Sequence, residues 1–296
     1  MYRIQVSAST SNLSAGFDIL GLALNIYNTF DVELSEKNIL INVEDKYNNE
    51  NNLFLQAYKK GIDYLGIQDH IRVTFNYDIP IERGLGSSSS LIVAGLMSAS
   101  VLHDGKLSKD EIFQLASQME GHPDNAAPCV YGGFTASIIE DGKFYTHNIQ
   151  IDDGYYFYVF IPDFAISTSE ARSILPKSFE TKTLVSNSAK AIYLIEALKT
   201  GNLELLKKCY DQNVHEPYRK KLIYEFDELK NIFIKDTDGV FFISGSGSTC
   251  FGIARKKCSD NLLNEIKKLK HNWIIREVQV DYKGVSAYEI WLSNSW

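Results

Sequence analysis

No run of apolar residues in this 296-residue chain approaches the ~18 that a membrane-spanning helix needs, and the opening MYRIQVSAST lacks the apolar core of a secretory leader. Basic charge is also scarce. Thirty Lys and Arg stand against 37 Asp and Glu, a formal net charge of −7, so the basic footprint of a nucleic-acid or anionic-membrane binder is missing. A small phosphorylated ligand asks only for local positive potential and is not excluded. Cysteine is sparse: Cys129, Cys209, Cys250 and Cys258 show no CxxC or finger spacing, which points to free buried thiols in a reducing compartment. Repeats and low-complexity tracts are absent. The expectation is a cytoplasmic globular protein with neither membrane nor nucleic acid as partner.

What is present is ample core material. Hydrophobic residues make up 45% and charged residues 23%, and the length suits one large domain or two ordinary ones. The 17 Tyr and 16 Phe read as core packing, because no basic aromatic strip accompanies them. Residues 70–79, HIRVTFNYDI, alternate apolar and polar as a half-buried strand does. From Ser87 to about Leu102 the chain is apolar nearly all round, which predicts a buried helix. Ser108 and Glu111 have capping-box spacing at the head of a second helix, and Gly121 and Pro123 stop it. Asn51 or Asn52 ends the polar loop EDKYNNENN in a position to cap another. The second half reads as a strand over 155–161 and helices over 187–202, about 202–210 and 225–234. The strands VFFI and CFGIA follow, linked by SGSGS, then a helix over 260–270 and strands around 274–280 and 286–292. That order gives an α+β class with an antiparallel or mixed sheet, divided into an α/β unit over 1–153 and a second unit over 154–296.

The stretch PIERGLGSSSS carries the chemistry. Pro80, Ile81, Glu82 and Arg83 lead out of the strand. Gly84, Leu85 and Gly86 allow positive φ and close backbone approach. Ser87, Ser88, Ser89 and Ser90 then open a helix whose first N–H groups lack internal partners and whose macrodipole is positive there, so an anion is favoured. The loop has no Walker lysine and no third Rossmann glycine.

PIERGLGSSSS resembles the phosphate loop of the GHMP kinases, P-x-x-x-G-L-G-S-S. Two further segments resemble that family's motifs: SASTSNLSAGFDILGLAL (7–24) and SGSGSTCFGI (244–253). Within the family, EGHPDNAAPCVYGG (120–133), STSEAR (167–172) and HEPYRKKL (215–222) are similar to segments of homoserine kinases. Ser7, Ser14 and Ala15 depart from the usual Pro, Gly and Pro, which should loosen that loop. The resemblance implies a two-domain fold, an N-terminal α/β domain with the phosphate loop and a ferredoxin-like C-terminal domain. It also implies ATP and Mg as cofactors, an amino-acid alcohol as substrate, and a possible homodimer. A different alcohol, or a relative that binds nucleotide without turnover, stays open as an alternative.

The site residues come with the resemblance. The whole loop from Pro80 to Ser90 falls to the nucleotide, together with Asn52. Glu120 and Ser88 fall to Mg²⁺, which takes few protein ligands. Asn12, Asp18, His122, Thr168, Arg172 and Arg219 fall to the substrate, with an arginine fork suited to a carboxylate. Asn125, Asp18 and Asp124 fall to catalysis. A base is not demanded, because phosphoryl transfer proceeds through a loose transition state.

Overall fold

The computed structural model describes residues 1–211 and 214–291. In chain order the first part contains β1 (Tyr2–Asn12), β2 (Gly16–Ser35), β3 (Ile39–Ile41), α1 (Leu53–Leu65), β4 (His70–Asn76), α2 (Ser87–Val101), α3 (Lys109–Glu120), α4 (Ala126–Tyr131), β5 (Phe134–Glu140) and β6 (Lys143–Ile149). After them come β7 (Tyr156–Pro162), α5 (Thr168–Ser173), α6 (Thr181–Thr200), α7 (Leu203–Cys209), α8 (Glu216–Arg219), α9 (Phe226–Thr237), β8 (Val240–Ile243), β9 (Cys250–Ala254), α10 (Asp260–Ile266), β10 (Trp273–Val278) and β11 (Ser286–Glu289). The last strand, expected over 286–292, stops at Glu289; Leu292 lies outside the described residues.

The first sheet is mixed and seven-stranded. Its main path runs β11-β1-β2-β4-β3, with β3 parallel to β4, and the hairpin β5–β6 joins the N-terminal half of β2. β2 is 20 residues long and serves β4 with one half and β5 with the other. Against this sheet lie α1 and α2, whose close approach depends on Gly95: a Cβ there would stand 2.4 Å from Phe54 O. α2 is buried on nearly every side, as its unbroken apolarity requires. α3 starts with the Ser108–Glu111 capping box and ends on left-handed Gly121, and Asn52 caps α1 by accepting from Phe54 N–H.

The second sheet is antiparallel and runs β10-β7-β9-β8. Numbered within that unit, the order is fourth–first–third–second, the arrangement of a ferredoxin-like split βαβ sheet. Period-2 alternation along β7 divides its two faces. Tyr158 and Phe160 pack with Phe233 and Leu229 of α9, whereas Phe157, Val159 and Ile161 share a cluster with α6, α7 and Leu20, Leu22 and Leu24 of β2. That cluster joins the two sheets through one apolar core. Each fully buried Phe in it contributes about 1.5–3 kcal/mol.

Three further expectations need correction, the first being the helix expected over 187–202, which runs Thr181–Thr200. The strand before the glycine loop ends at Asn76, not at Pro80, because the buried Asn28 takes over the backbone. Asn28 Oδ1 accepts from the N–H groups of Asp78 and Ile79, both at 3.0 Å, and its Nδ2 donates to Ser90 Oγ at the start of α2. The helix expected over 260–270 ends at Ile266. Among the described residues, no helix is long and apolar enough to cross a membrane.

Candidate active site

The glycine loop is pressed between the two sheets. Ser9 N–H donates to Leu85 O (3.1 Å) from β1, and Thr249 N–H donates to Arg83 O (3.0 Å) from the far side. Ser244 Oγ donates to Gly84 O at 2.6 Å. Gly84 and Gly86 have φ of 71° and 69°, and a Cβ on either would stand 2.3 Å from Ser244 O or 2.0 Å from Ser9 Oγ. Both positive φ and close approach require glycine here. α2 then begins with no side-chain cap and no acidic residue in its first turn, and among the described residues Ser87 Oγ is buried without a partner. An unsatisfied donor set of this kind is an anion-receptive site.

The loop opens onto a cleft of about 590 Å³, a volume suited to a small-molecule site. Ile81, Glu82, Arg83, Gly84, Gly86, Ser87 and Ser88 line it. Four other residues assigned to the nucleotide do not. Pro80 is outside the cleft, and Leu85 is fully buried in the core beneath the loop. Ser90 is turned inward, donating to Ser87 O, and Ser89 Oγ donates to Glu120 Oε2 at 2.6 Å. The Arg83 guanidinium points to the carbonyls of Ile81 and Pro162, both 3.2 Å away, so it ties the loop to β7. Asn52 lines the cleft, but its amide is engaged twice in capping, with Phe54 N–H and Tyr47 O.

Glu120, at the last residue of α3, reaches across to the first turn of α2. Its pKa is raised by burial, against the opposing pull of His122 and the hydroxyls of Ser89 and Ser88. A cation beside this half-buried carboxylate would offset the burial that disfavours its charge, and with the exposed Ser88 hydroxyl it forms an oxygen donor set suited to a hard cation. His122 Nδ1 lies 2.6 Å from Asp124 Oδ1. Burial depresses its pKa, but the hydrogen bond and charge of Asp124, with Glu120 behind, outweigh that and leave it raised. Asn125 is held at both ends: Ser9 Oγ donates to its Oδ1 (2.8 Å) and its Nδ2 donates to Ser11 Oγ (3.0 Å). Those serines had no assigned role, although their period-2 spacing along VSASTSN marks one polar strand face.

The turn after β1 is left-handed at Asn12, Leu13 and Ser14, with φ of 71°, 36° and 65°. Such conformations cost about 1–2 kcal/mol per non-glycine residue. The turn is nevertheless fastened, contrary to the loosening expected from its altered sequence. Ser14 Oγ donates to Tyr210 O, His215 Nε2 donates to Ser14 O (3.2 Å), and Asn187 Nδ2 donates to Ala15 O (2.9 Å). Asn12 Nδ2 donates to Gly245 O (2.7 Å) and its Oδ1 accepts from Asp18 N–H (3.0 Å), so this side chain shapes the cleft wall.

Arg172 and Arg219 do converge. Arg172 forks onto Asp18, with Nη1–Oδ2 at 3.1 Å and Nη2–Oδ1 at 2.9 Å. Arg219 is 2% exposed and donates to the carbonyls of Ala171 (3.0 Å) and Gly245 (3.2 Å). Its pKa is lowered to about 10 by burial and by the Arg172 charge, with Asp18 and Asp124 opposing. Thr168, at the start of α5, faces Ser246 across 3.4 Å. A further group of lining residues, Tyr47, Leu53, Tyr77, Leu91 and Met119, was not singled out from the sequence; nothing in their spacing separates them from core.

The comparisons with known proteins match this arrangement. The family described as GHMP kinases N terminal domain matches residues 52–133, and GHMP kinases C terminal matches 194–272. A homoserine kinase of Clostridium botulinum is 38% identical over 96% of this chain and 97% of its own length. One from Caldicellulosiruptor bescii is 37% identical over 98% of both chains. The crystal structure of homoserine kinase from Cytophaga hutchinsonii superposes with a TM-score of 0.84 at 24% identity, covering 97% of this chain and 96% of that one. With both halves of the family matched on one cleft, the chain belongs to the GHMP kinases and is an ATP-dependent kinase.

Proposed function

We propose that the substrate is L-homoserine and that the reaction transfers the γ-phosphoryl group of ATP to its hydroxyl, a step of threonine biosynthesis. The observation that carries this reading is a shared cleft with two unlike anion receptors: the uncapped start of α2 and the guanidinium pair Arg172–Arg219. ATP phosphates lie at Gly84, Gly86, Ser87 and Ser88, where backbone N–H groups and the macrodipole stabilise them. Ser88 and Glu120 would hold Mg²⁺, which would supply positive charge to offset that of the ATP phosphates. Arg219 and Arg172 receive the substrate carboxylate. Asp18 receives the ammonium or the hydroxyl, exchanging part of its fork with Arg172 for the substrate. His122, Asn125, Asn12 and Thr168 complete the polar wall. Asp124, tied to His122, is available as a proton acceptor, although positioning and charge stabilisation suffice for a loose transition state.

The chain is taken as two units, 1–153 and 154–296, with β11 returning to the first sheet, and as a homodimer. A coupled ADP-release assay with Mg²⁺-ATP and a panel of L-homoserine, mevalonate, shikimate and galactose tests the substrate. Turnover on L-homoserine alone supports the reading, and turnover on another alcohol instead overturns it. Arg219→Ala should raise the KM for the amino acid with little change for ATP; an unchanged amino-acid KM would remove Arg219 from the carboxylate site.

A further inference from the structure

Phe17 precedes Asp18 in the chain and its ring stands among three side chains from the second unit. The Arg219 guanidinium carbon is 5.2 Å from the ring centroid and that of Arg172 is 5.9 Å. The His215 ring lies 5.3 Å away at 34°. Arg219 needs such a neighbour. It is 2% exposed, among the described residues it makes no ion pair, and the other guanidinium approaching it carries the same charge. An aromatic face attracts a cation through its quadrupole, more strongly where water is excluded, and one ring can serve two cations. Asp18 forks onto Arg172 and acts on Arg219 through its charge without a hydrogen bond among the described residues, while the carbonyls of Ala171 and Gly245 fix Arg219 by its edges. Phe17 sets one ring against both guanidinium groups.

We propose that Phe17 is a positioning residue that assembles Arg172 and Arg219 into one carboxylate receptor, and so sets the preference for a substrate bearing a carboxylate. This rests on the reading of the arginine pair as that receptor. An aliphatic side chain of similar size fills the space but has no quadrupole. The receptor then loses its spacing while the phosphate loop, built from other residues, keeps its own.

The test compares wild type with Phe17→Leu, Phe17→Met and Phe17→Tyr, on L-homoserine and on 3-aminopropan-1-ol, the same skeleton without the carboxylate. In the Leu and Met variants the KM for L-homoserine should rise about 10-fold, with the KM for ATP unchanged and the preference over the carboxylate-free alcohol reduced by the same factor. Phe17→Tyr, which keeps the ring, should restore both. A purely structural role would instead lower the melting temperature and reduce turnover on both alcohols alike. Leu and Met variants that keep the wild-type preference, or a Tyr variant that loses it, overturn the role of Phe17. A wild-type enzyme that does not distinguish the two alcohols overturns the carboxylate receptor itself.

Discussion

Replacing Gly84 with alanine sets a methyl carbon 2.3 Å from Ser244 O, 2.8 Å from Gly247 O and 2.9 Å from Gly247 N. All three neighbours are backbone, so relief requires the phosphate loop and the 244–248 turn to separate by about 1 Å. Left-handed φ costs alanine about 1 kcal/mol, overpacking adds about 1–3, and losing the Ser244–Gly84 hydrogen bond adds about 1. Gly66 provides the control: its φ of 70° is nearly the same, and nothing lies within 4 Å of its would-be Cβ. Gly66→Ala should therefore cost only the backbone part, about 1 kcal/mol. The two variants should differ by about 2–4 kcal/mol, which corresponds to roughly 3–6 °C in melting temperature for a chain of this size. Displacing the loop by that distance should also raise the KM for ATP on the order of 10²-fold in Gly84→Ala alone. Thermal unfolding followed by circular dichroism and the ADP-release assay read both effects. Equal melting temperatures, or an ATP KM unmoved in Gly84→Ala, would refute the argument that the two loops are in contact.

Asn28→Ala should destabilise by about 3 kcal/mol, since it leaves the N–H groups of Asp78 and Ile79 unsatisfied; chemical denaturation measures it. Glu120→Gln should lower kcat at least about 100-fold and weaken Mg²⁺ dependence in a metal titration, because the site loses its carboxylate. Glu216, 3% exposed, is pushed by burial from 4.5 up to about 8. A carboxyl with a raised folded-state pKa gives stability that is full below about pH 4.5 and lost as pH rises through about 8. Glu216→Gln should flatten that decline, with the variant the more stable protein above pH 8 by a few kcal/mol at most, as melting temperatures across pH will record.

Local signals in the sequence located most helices and the phosphate loop. The Ser108–Glu111 box, the αL stop at Gly121 and the alternation after His70 each encode their geometry within a few residues. The hairpin β5–β6 has its signal in Asp141-Gly142, a two-residue turn with both φ positive that was not read as one, whereas the division of β2 between two partners has no local signature, because that pairing is decided by distant chain. The same limit applied at the site. Glu120 ends its own helix, where the macrodipole disfavours a carboxylate, and only the fold shows it reaching the favourable end of another. Asp18 and Arg172 stood as separate substrate contacts, 154 positions apart, until the fold paired them.

The pairing of β1 with β11 sets an order of assembly. Tyr2 faces Glu289 across 287 positions, so one side of the first strand stays without its neighbour until β11 has been made. At cellular translation speeds that interval is roughly 15–60 s, far longer than hairpin closure. During it the β1–β2 hairpin, α1 and α2 can pack, but the sheet keeps an open edge at β1. The nascent protein is thus most exposed to wrong partners at the strand that carries Ser9 and Ser11 into the cleft. The arrival of β11 covers that edge from Tyr2 to Gln5.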